Sequence, residues 1–292
     1  MLAFDQPGFS NELQGRHSVL FKTSATVTLQ YDTGFSPFAA SEFAQALAWL
    51  ADRGFTGAEI CVADPRPVDA AGLKAQLDGL GLKVPTLSTG QARGLEGLSL
   101  TDADPQVRRR TVQRVKDHVD FAGRLGCPLV TIGLLRGLGQ AGRQEDDLRL
   151  LAATLDECAG YAGSQDVKLA LEPINRYETQ LLNGVRETLA LIAGLDSGQH
   201  VGVLFDTFHA NIEEPDIGES LALLGNKLLH VHFADSNRWL PGDGHIDFTA
   251  VCRSLRLMGF RGYVSLETLN KPDRNYIREN GFVRLTRYMD GQ

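Results

Sequence analysis

From about Phe21 onward, short β-branched or apolar runs alternate with longer stretches whose apolar positions recur with the helical period. The runs predict eight strands, at 25–30, 57–62, 83–89, 129–133, 168–172, 201–206, 228–233 and 263–267. The stretches between and after them predict helices at 40–53, 69–80, 105–125, 145–162, 184–195, 216–223, 248–258 and 273–289. Ser41 and Asp104 are read as N-caps, and Pro105 suits a first helical turn. Gly54, Gly81, Gly126 and Gly259 stand where left-handed C-terminal caps belong. The phrases DRGFTGAEI, GLGLKVPTL, RLGCPLVTI and LMGFRGYVSL repeat one theme, a helix end, a glycine and then a strand.

Eight such βα units close most naturally into a (β/α)8 barrel, an α/β fold of about 250 residues. An open doubly wound sheet should carry a glycine-rich phosphate turn after its first strand, and TLQYDTGFSPF lacks the G-x-G-x-x-G form. No linker-like shift in composition divides the 292 residues, so the expectation is a single barrel domain. Residues 1–20 are taken as an N-terminal extension and 273–292 as a C-terminal helix.

A formal charge of −7 argues against a nucleic-acid partner, because phosphate backbones are held by an excess of clustered Lys and Arg. The densest basic run, Arg108 to Arg110 with Arg114 and Lys116, is read as a solvated helix face or an oligomer contact. Cys61, Cys127, Cys158 and Cys252 are widely spaced and are read as small core residues in a reducing compartment. No apolar run reaches the roughly 18 residues of a membrane span, and the first residues lack signal-peptide character. A cytoplasmic location, no membrane partner and a homo-oligomer, dimer or tetramer, complete these expectations.

In such a barrel the functional site forms where strands end, so each strand's last residues matter most. Strands five to eight offer Glu172, Asp206, His232 and Glu267, spaced by 34, 26 and 35 residues, about one βα unit each. Alone, each reads more readily as a cap, a salt bridge or a satisfied core histidine. In matched register they would crowd three carboxylates and an imidazole at one mouth, a conflict that a divalent cation resolves. Three oxygens and one nitrogen favour Mn²⁺ or Mg²⁺, with Co²⁺ or Zn²⁺ also compatible. His230, two residues before His232, faces the same side and is read as a deeper partner.

LALEPINRYE, VGVLFDTFHANIEE, HVHFADSNRWLPGDGHIDF and VSLETL resemble the corresponding segments of the xylose-isomerase-like sugar isomerase and epimerase family, most closely its ketose 3-epimerases. LSTGQARGLEGLSLTDADPQVRR is a weaker match in the first half. The resemblance implies one divalent ion held by Glu172, Asp206, His232 and Glu267, with Glu172 and Glu267 as the catalytic pair. It further implies substrate-binding roles for Glu178, His209 and Arg238. The activity implied is inversion of C3 of a free ketose through an enediolate, the two glutamates acting from opposite faces.

Other readings remain open at this point. Aldose–ketose or hydroxypyruvate-type isomerisation uses the same enediolate, and a dehydratase or lyase on a cyclic polyol or shikimate-like acid uses similar ligands. A non-catalytic sugar binder is disfavoured because no ligand is missing. A three-zinc endonuclease would need more histidines than the seven present. The usual glutamate of the 3-epimerases is replaced by Asp235, which bears on substrate identity. No phosphate nest follows strands seven or eight. The LLRGLGQAGRQ loop, with Arg136 and Arg143, is read as either a lid or an anion grip.

Overall fold

The computed structural model describes residues 21–289. Its eight strands pair parallel, in chain order, into a closed barrel. They are β1 (Lys22–Thr28), β2 (Gly57–Cys61), β3 (Leu87–Ser88), β4 (Leu129–Ile132), β5 (Lys168–Leu171), β6 (Val201–Asp206), β7 (Leu228–Phe233) and β8 (Tyr263–Leu266). Ten helices connect and follow them. These are α1 (Phe43–Arg53), α2 (Ala70–Gly79), α3 (Gly90–Glu96), α4 (Pro105–Leu125), α5 (Gln144–Ser164), α6 (Val185–Ala193), α7 (Thr207–Glu213), α8 (Ile217–Leu224), α9 (Phe248–Leu257) and α10 (Arg274–Thr286). The proposed extension at 1–20 and residues 290–292 lie outside the described residues.

All eight expected strands form, with boundary differences that have local causes. β3 is cut to two paired residues because Pro85, with no N–H to give, interrupts the ladder; Lys83 still bridges to Gly57. β1 starts at Lys22, earlier than the pattern indicated, since Thr23, Ser24 and Thr26 are buried polar residues that hide a strand from an apolar count. Two short helices were not expected. α3 and α7 follow the ends of β3 and β6 almost directly. Asp104 does cap α4, but Ser41 caps nothing: it lies within a 3-10 turn ahead of α1. Gly54 and Gly126 close α1 and α4 in the left-handed conformation, where a Cβ would be strained.

The main hydrophobic core lies between sheet and helices. In β2, Ala58 and Ile60 are buried on the helix side, while Glu59 turns inward. Glu59 meets His230 of β7, and because β2 and β7 are not neighbours in the ring this contact crosses the barrel interior. The axis is lined by further polar groups, including a Ser24–Ser265 hydroxyl pair and Thr86 against Thr131 at 2.8 Å. Barrel interiors are ordinarily stacked with branched aliphatics. Here buried polar side chains hold much of that place, and most of their polar atoms pair with one another, although Thr26 Oγ1 and His230 Nδ1 have no partner.

All four cysteines are buried and unpaired. No helix among the described residues is long and apolar enough to cross a membrane.

Candidate active site

Glu172 follows β5 and remains tied to the sheet, its amide donating to the Ile132 carbonyl at 3.2 Å. Asp206 is the last residue of β6 and His232 the penultimate residue of β7; the two are paired in register, which sets their side chains side by side. Glu267 follows β8, its amide reaching Phe233 O at 3.4 Å. One donor atom from each of the four lies within 4.8 Å of the others. The four candidate ligands are thus brought together at the C-terminal mouth.

Asp206 divides its carboxylate between two tasks. Oδ1 accepts the Phe208 amide at 2.7 Å and so caps α7, whereas buried Oδ2 has no hydrogen-bond partner. His232 Nδ1 is likewise buried and unpartnered, lying 3.7 Å from Asp206 Oδ2 and 3.4 Å from Glu267 Oε2. Two buried polar atoms without partners, one from each of two adjacent strands, are what a cation between them would satisfy.

The electrostatics agree. Burial and the neighbouring Glu267 charge push the Glu172 carboxyl up to about 8. Burial also opposes ionisation of Asp206, but the imidazoles of His209 and His232 and the Arg238 guanidinium outweigh it and hold this group at about 2. His232 is lifted well above the ordinary imidazole range because the charges of Glu59 and Glu267 overcome its burial. The field that holds a proton on His232 would equally favour a metal cation at Nδ1.

Glu59 was not singled out in the sequence. It is fully buried, and both of its carboxylate oxygens lie 3.1 Å from His232 Nε2. Ser88 donates to Oε1 at 2.6 Å and His230 Nε2 approaches Oε2 at 3.0 Å. Burial works against this carboxylate's charge, but the two histidines hold its pKa well below the usual range. An acceptor at Nε2 fixes the tautomer that leaves Nδ1 free for the acidic cluster, an arrangement common to metal-ligating histidines. His230 is therefore a deeper partner, as its spacing predicted. The available signal was a lone charge inside the apolar run GAEICV, in a position where only a paired carboxylate can be buried.

A cleft of about 390 Å³ opens above the cluster. Its floor carries Glu172, His232 and Glu267, while Phe35, Leu95, Leu134 and Ile174 supply apolar walls. His209, on α7, lies 3.8 Å from Glu172 Oε1, and its Nδ1 accepts from Asn175 Nδ2 at 2.7 Å. Glu178 stands in the loop after β5 and accepts from Asn175 at 3.0 Å. Arg238 adopts a left-handed backbone (φ 61°), unusual for a side chain of its size. Its guanidinium spans the mouth, donating to Glu178 Oε1 at 3.1 Å and Glu267 Oε2 at 3.2 Å, and packs over the rings of Phe35 and Phe208. Glu178, His209 and Arg238 all line the same cleft.

Several expectations are corrected. Arg136 is completely buried and donates only to backbone carbonyls, so it is no anion grip, whereas Arg143 is exposed. Arg114 belongs to no solvated face: it is buried, binding Glu96 and the Ala63 carbonyl, while Arg109 and Arg110 are exposed. Asp235 does not face the cleft. Its carboxylate gathers the amides of Ser236, Gly242 and Ile246 and so knits the β7 loop together. Gly244 leaves room for it, since a Cβ there would come within 2.3 Å of Asp235 Oδ1.

The fold and the cluster define a (β/α)8 barrel with an acidic, one-histidine constellation at its C-terminal mouth. Residues 47–286 match the xylose isomerase-like TIM barrel model, and the chain belongs to that family. It is 32% identical over 253 residues to an L-ribulose 3-epimerase of Mesorhizobium japonicum, covering 84% of this chain and 82% of the relative. A D-psicose 3-epimerase of Ruminiclostridium cellulolyticum is 29% identical over 233 residues, 75% of each chain. A solved structure of an L-ribulose 3-epimerase superposes with a TM-score of 0.74 at 30% identity, covering 89% of this chain and 86% of that one.

Proposed function

We propose that this protein is a divalent-metal-dependent sugar epimerase that inverts C3 of an unphosphorylated ketose. The observation that carries this reading is the convergence of Glu172, Asp206, His232 and Glu267 on one centre, with Glu172, His232 and Glu267 exposed to a sugar-sized cleft, in a chain similar to 3-epimerases over most of its length.

The residues fit a metal ion. Three carboxylates and one imidazole, with Asp206 Oδ2 and His232 Nδ1 lacking hydrogen-bond partners, suit Mn²⁺ or Mg²⁺ better than a thiolate-seeking ion. Such an ion, when bound, supplies Lewis acidity to two neighbouring sugar oxygens and so acidifies the C–H bond between carbonyl and hydroxyl.

The remaining tasks fall to the chain. Glu172 and Glu267 reach the centre from β5 and β8, three strands apart around the ring, and so approach a bound sugar from different directions. One takes the C3 proton to leave an enediolate; the other delivers a proton to the opposite face. Inversion needs two carboxyl groups in opposite protonation states, which exchange roles when the reaction runs in reverse. Arg238 and Glu178 provide a donor and an acceptor at the mouth for sugar hydroxyls, and His209 offers an imidazole nitrogen beside Glu172. Among the described residues, Arg238 is the only Lys or Arg lining the cleft and already bridges two carboxylates, which leaves little to hold a phosphate.

Incubation with ribulose, tagatose, fructose and psicose in D₂O tests this, with and without a chelator. Deuterium at C3 and loss of exchange on chelation are expected. Label at C1 or C2 instead would mark an aldose–ketose isomerase, and exchange indifferent to chelation would sink the metal role.

A further inference from the structure

Arg136 is a fully buried cation whose hydrogen bonds among the described residues all go to backbone carbonyls. Its Nη1 donates to the carbonyl of Glu172, while Nη2 donates to those of Leu181 (2.8 Å) and Leu182 (3.2 Å). Those carbonyls are the two feet of the loop that leaves β5, turns at Pro173 and carries Glu178 to the mouth. Burying a guanidinium without a counter-charge is costly, and a methionine or leucine would fill the space more cheaply. What the aliphatic residues lack is a planar set of donors that can hold two separated stretches of chain at once.

The same loop is fastened on its other sides. Ile174 N meets Leu182 O at 3.3 Å across the neck, and Asn183 Nδ2 donates to Ile174 O at 2.7 Å and Thr179 O at 2.9 Å. Gln180 N donates to Leu138 O at 2.7 Å, joining the loop to the segment that also bears Arg136. Gly139 (φ 73°) lets that segment lie flat, since a Cβ there would fall 2.7 Å from Leu181 Cγ. At the tip, Tyr177 is 82% exposed.

We infer that Arg136 is a positioning residue that locks this loop closed, so that Glu178 stays in contact with Arg238 while Glu172 keeps its place at the strand end. The kinetic part of this inference rests on the sugar reading above; the loop part does not, so the two can fail separately.

The test uses Arg136→Lys and Arg136→Gln in the full chain, digested with chymotrypsin under native conditions. Cleavage after Tyr177 should accelerate about tenfold or more in both variants, with little dependence on added denaturant, as for a local opening. The KM for the sugar should rise by a larger factor than kcat falls. Cleavage at the wild-type rate overturns the proposal, as does acceleration that follows global unfolding across a urea series. Should neither variant fold, hydrogen exchange in the wild-type protein decides. The Ile174 and Gln180 amides should then exchange as slowly as those of β5, and fast local exchange there overturns the lock.

Discussion

His232 Nε2 sits 3.1 Å from each oxygen of Glu59, a carboxylate on β2 that reaches across the barrel axis to a histidine on β7. The relationship defines a two-sided imidazole: one nitrogen is fastened to a buried acid, and the other is free for the acidic mouth.

Glu59→Gln should therefore weaken metal affinity about 10- to 100-fold while leaving the barrel folded. Competition between the protein and a fluorescent chelator for Mn²⁺ measures this, with circular dichroism as the control. Unchanged affinity would mean that His232 needs no help from Glu59.

Gly133 lies against the proposed proton-transfer group, for a Cβ at this position would stand 2.7 Å from Glu172 Oε2. In Gly133→Ala the carboxylate must shift. We expect kcat to fall about tenfold or more, since small misplacements of a reacting group are expensive, with a stability cost of about 1–3 kcal/mol. Steady-state kinetics and urea denaturation separate the two effects.

Arg238 depends on its planar shape, bridging Glu178 and Glu267 while stacked on Phe35 and Phe208. Lysine keeps the charge and loses both the fork and the stacking. Arg238→Lys should lower kcat/KM by about 10- to 100-fold. A value near wild type would show that charge alone suffices.

His118, in α4, is buried with its ring nitrogens 2.8 Å from Arg114 O and 2.9 Å from Val62 O. Burial pushes its pKa below the ordinary value, against the pull of the two carbonyls. The unfolded chain then binds the extra proton first as pH falls below about 6.5, so this histidine makes stability decline toward acid pH. The contribution cannot exceed about 1.4 kcal/mol per pH unit. Urea titrations from pH 7.5 to 5.5 should show a shallower decline in His118→Gln than in the wild type.

The architecture was legible because its signals are local. A glycine followed by an apolar run marks each helix-to-strand passage, and the residues ending β5 to β8 can be read from spacing alone. The lone charge of Glu59 in an apolar run was visible, but its role was not, because its partners are 171 and 173 residues away and reach it across the barrel. Asp235 sits in a motif that reads as substrate-facing, yet its fate is decided by the amides of Gly242 and Ile246, which only the folded loop presents. The choice between lid and anion grip for the Arg136 loop was open for a similar reason: arginine among glycines resembles an exposed anion loop, and only the packing of that loop against Leu181 hides it.

The polar barrel axis has a practical consequence for redesign. Each of Ser24, Glu59, His230 and Ser265 satisfies another member of the set, so altering one strands its neighbour in a buried interior. The aliphatic cleft walls carry no such mutual obligations, whereas Phe35 also supports the Arg238 guanidinium. Selection for new sugar preferences should therefore accumulate changes at Leu95, Leu134 and Ile174 and leave the axle of the molecule untouched.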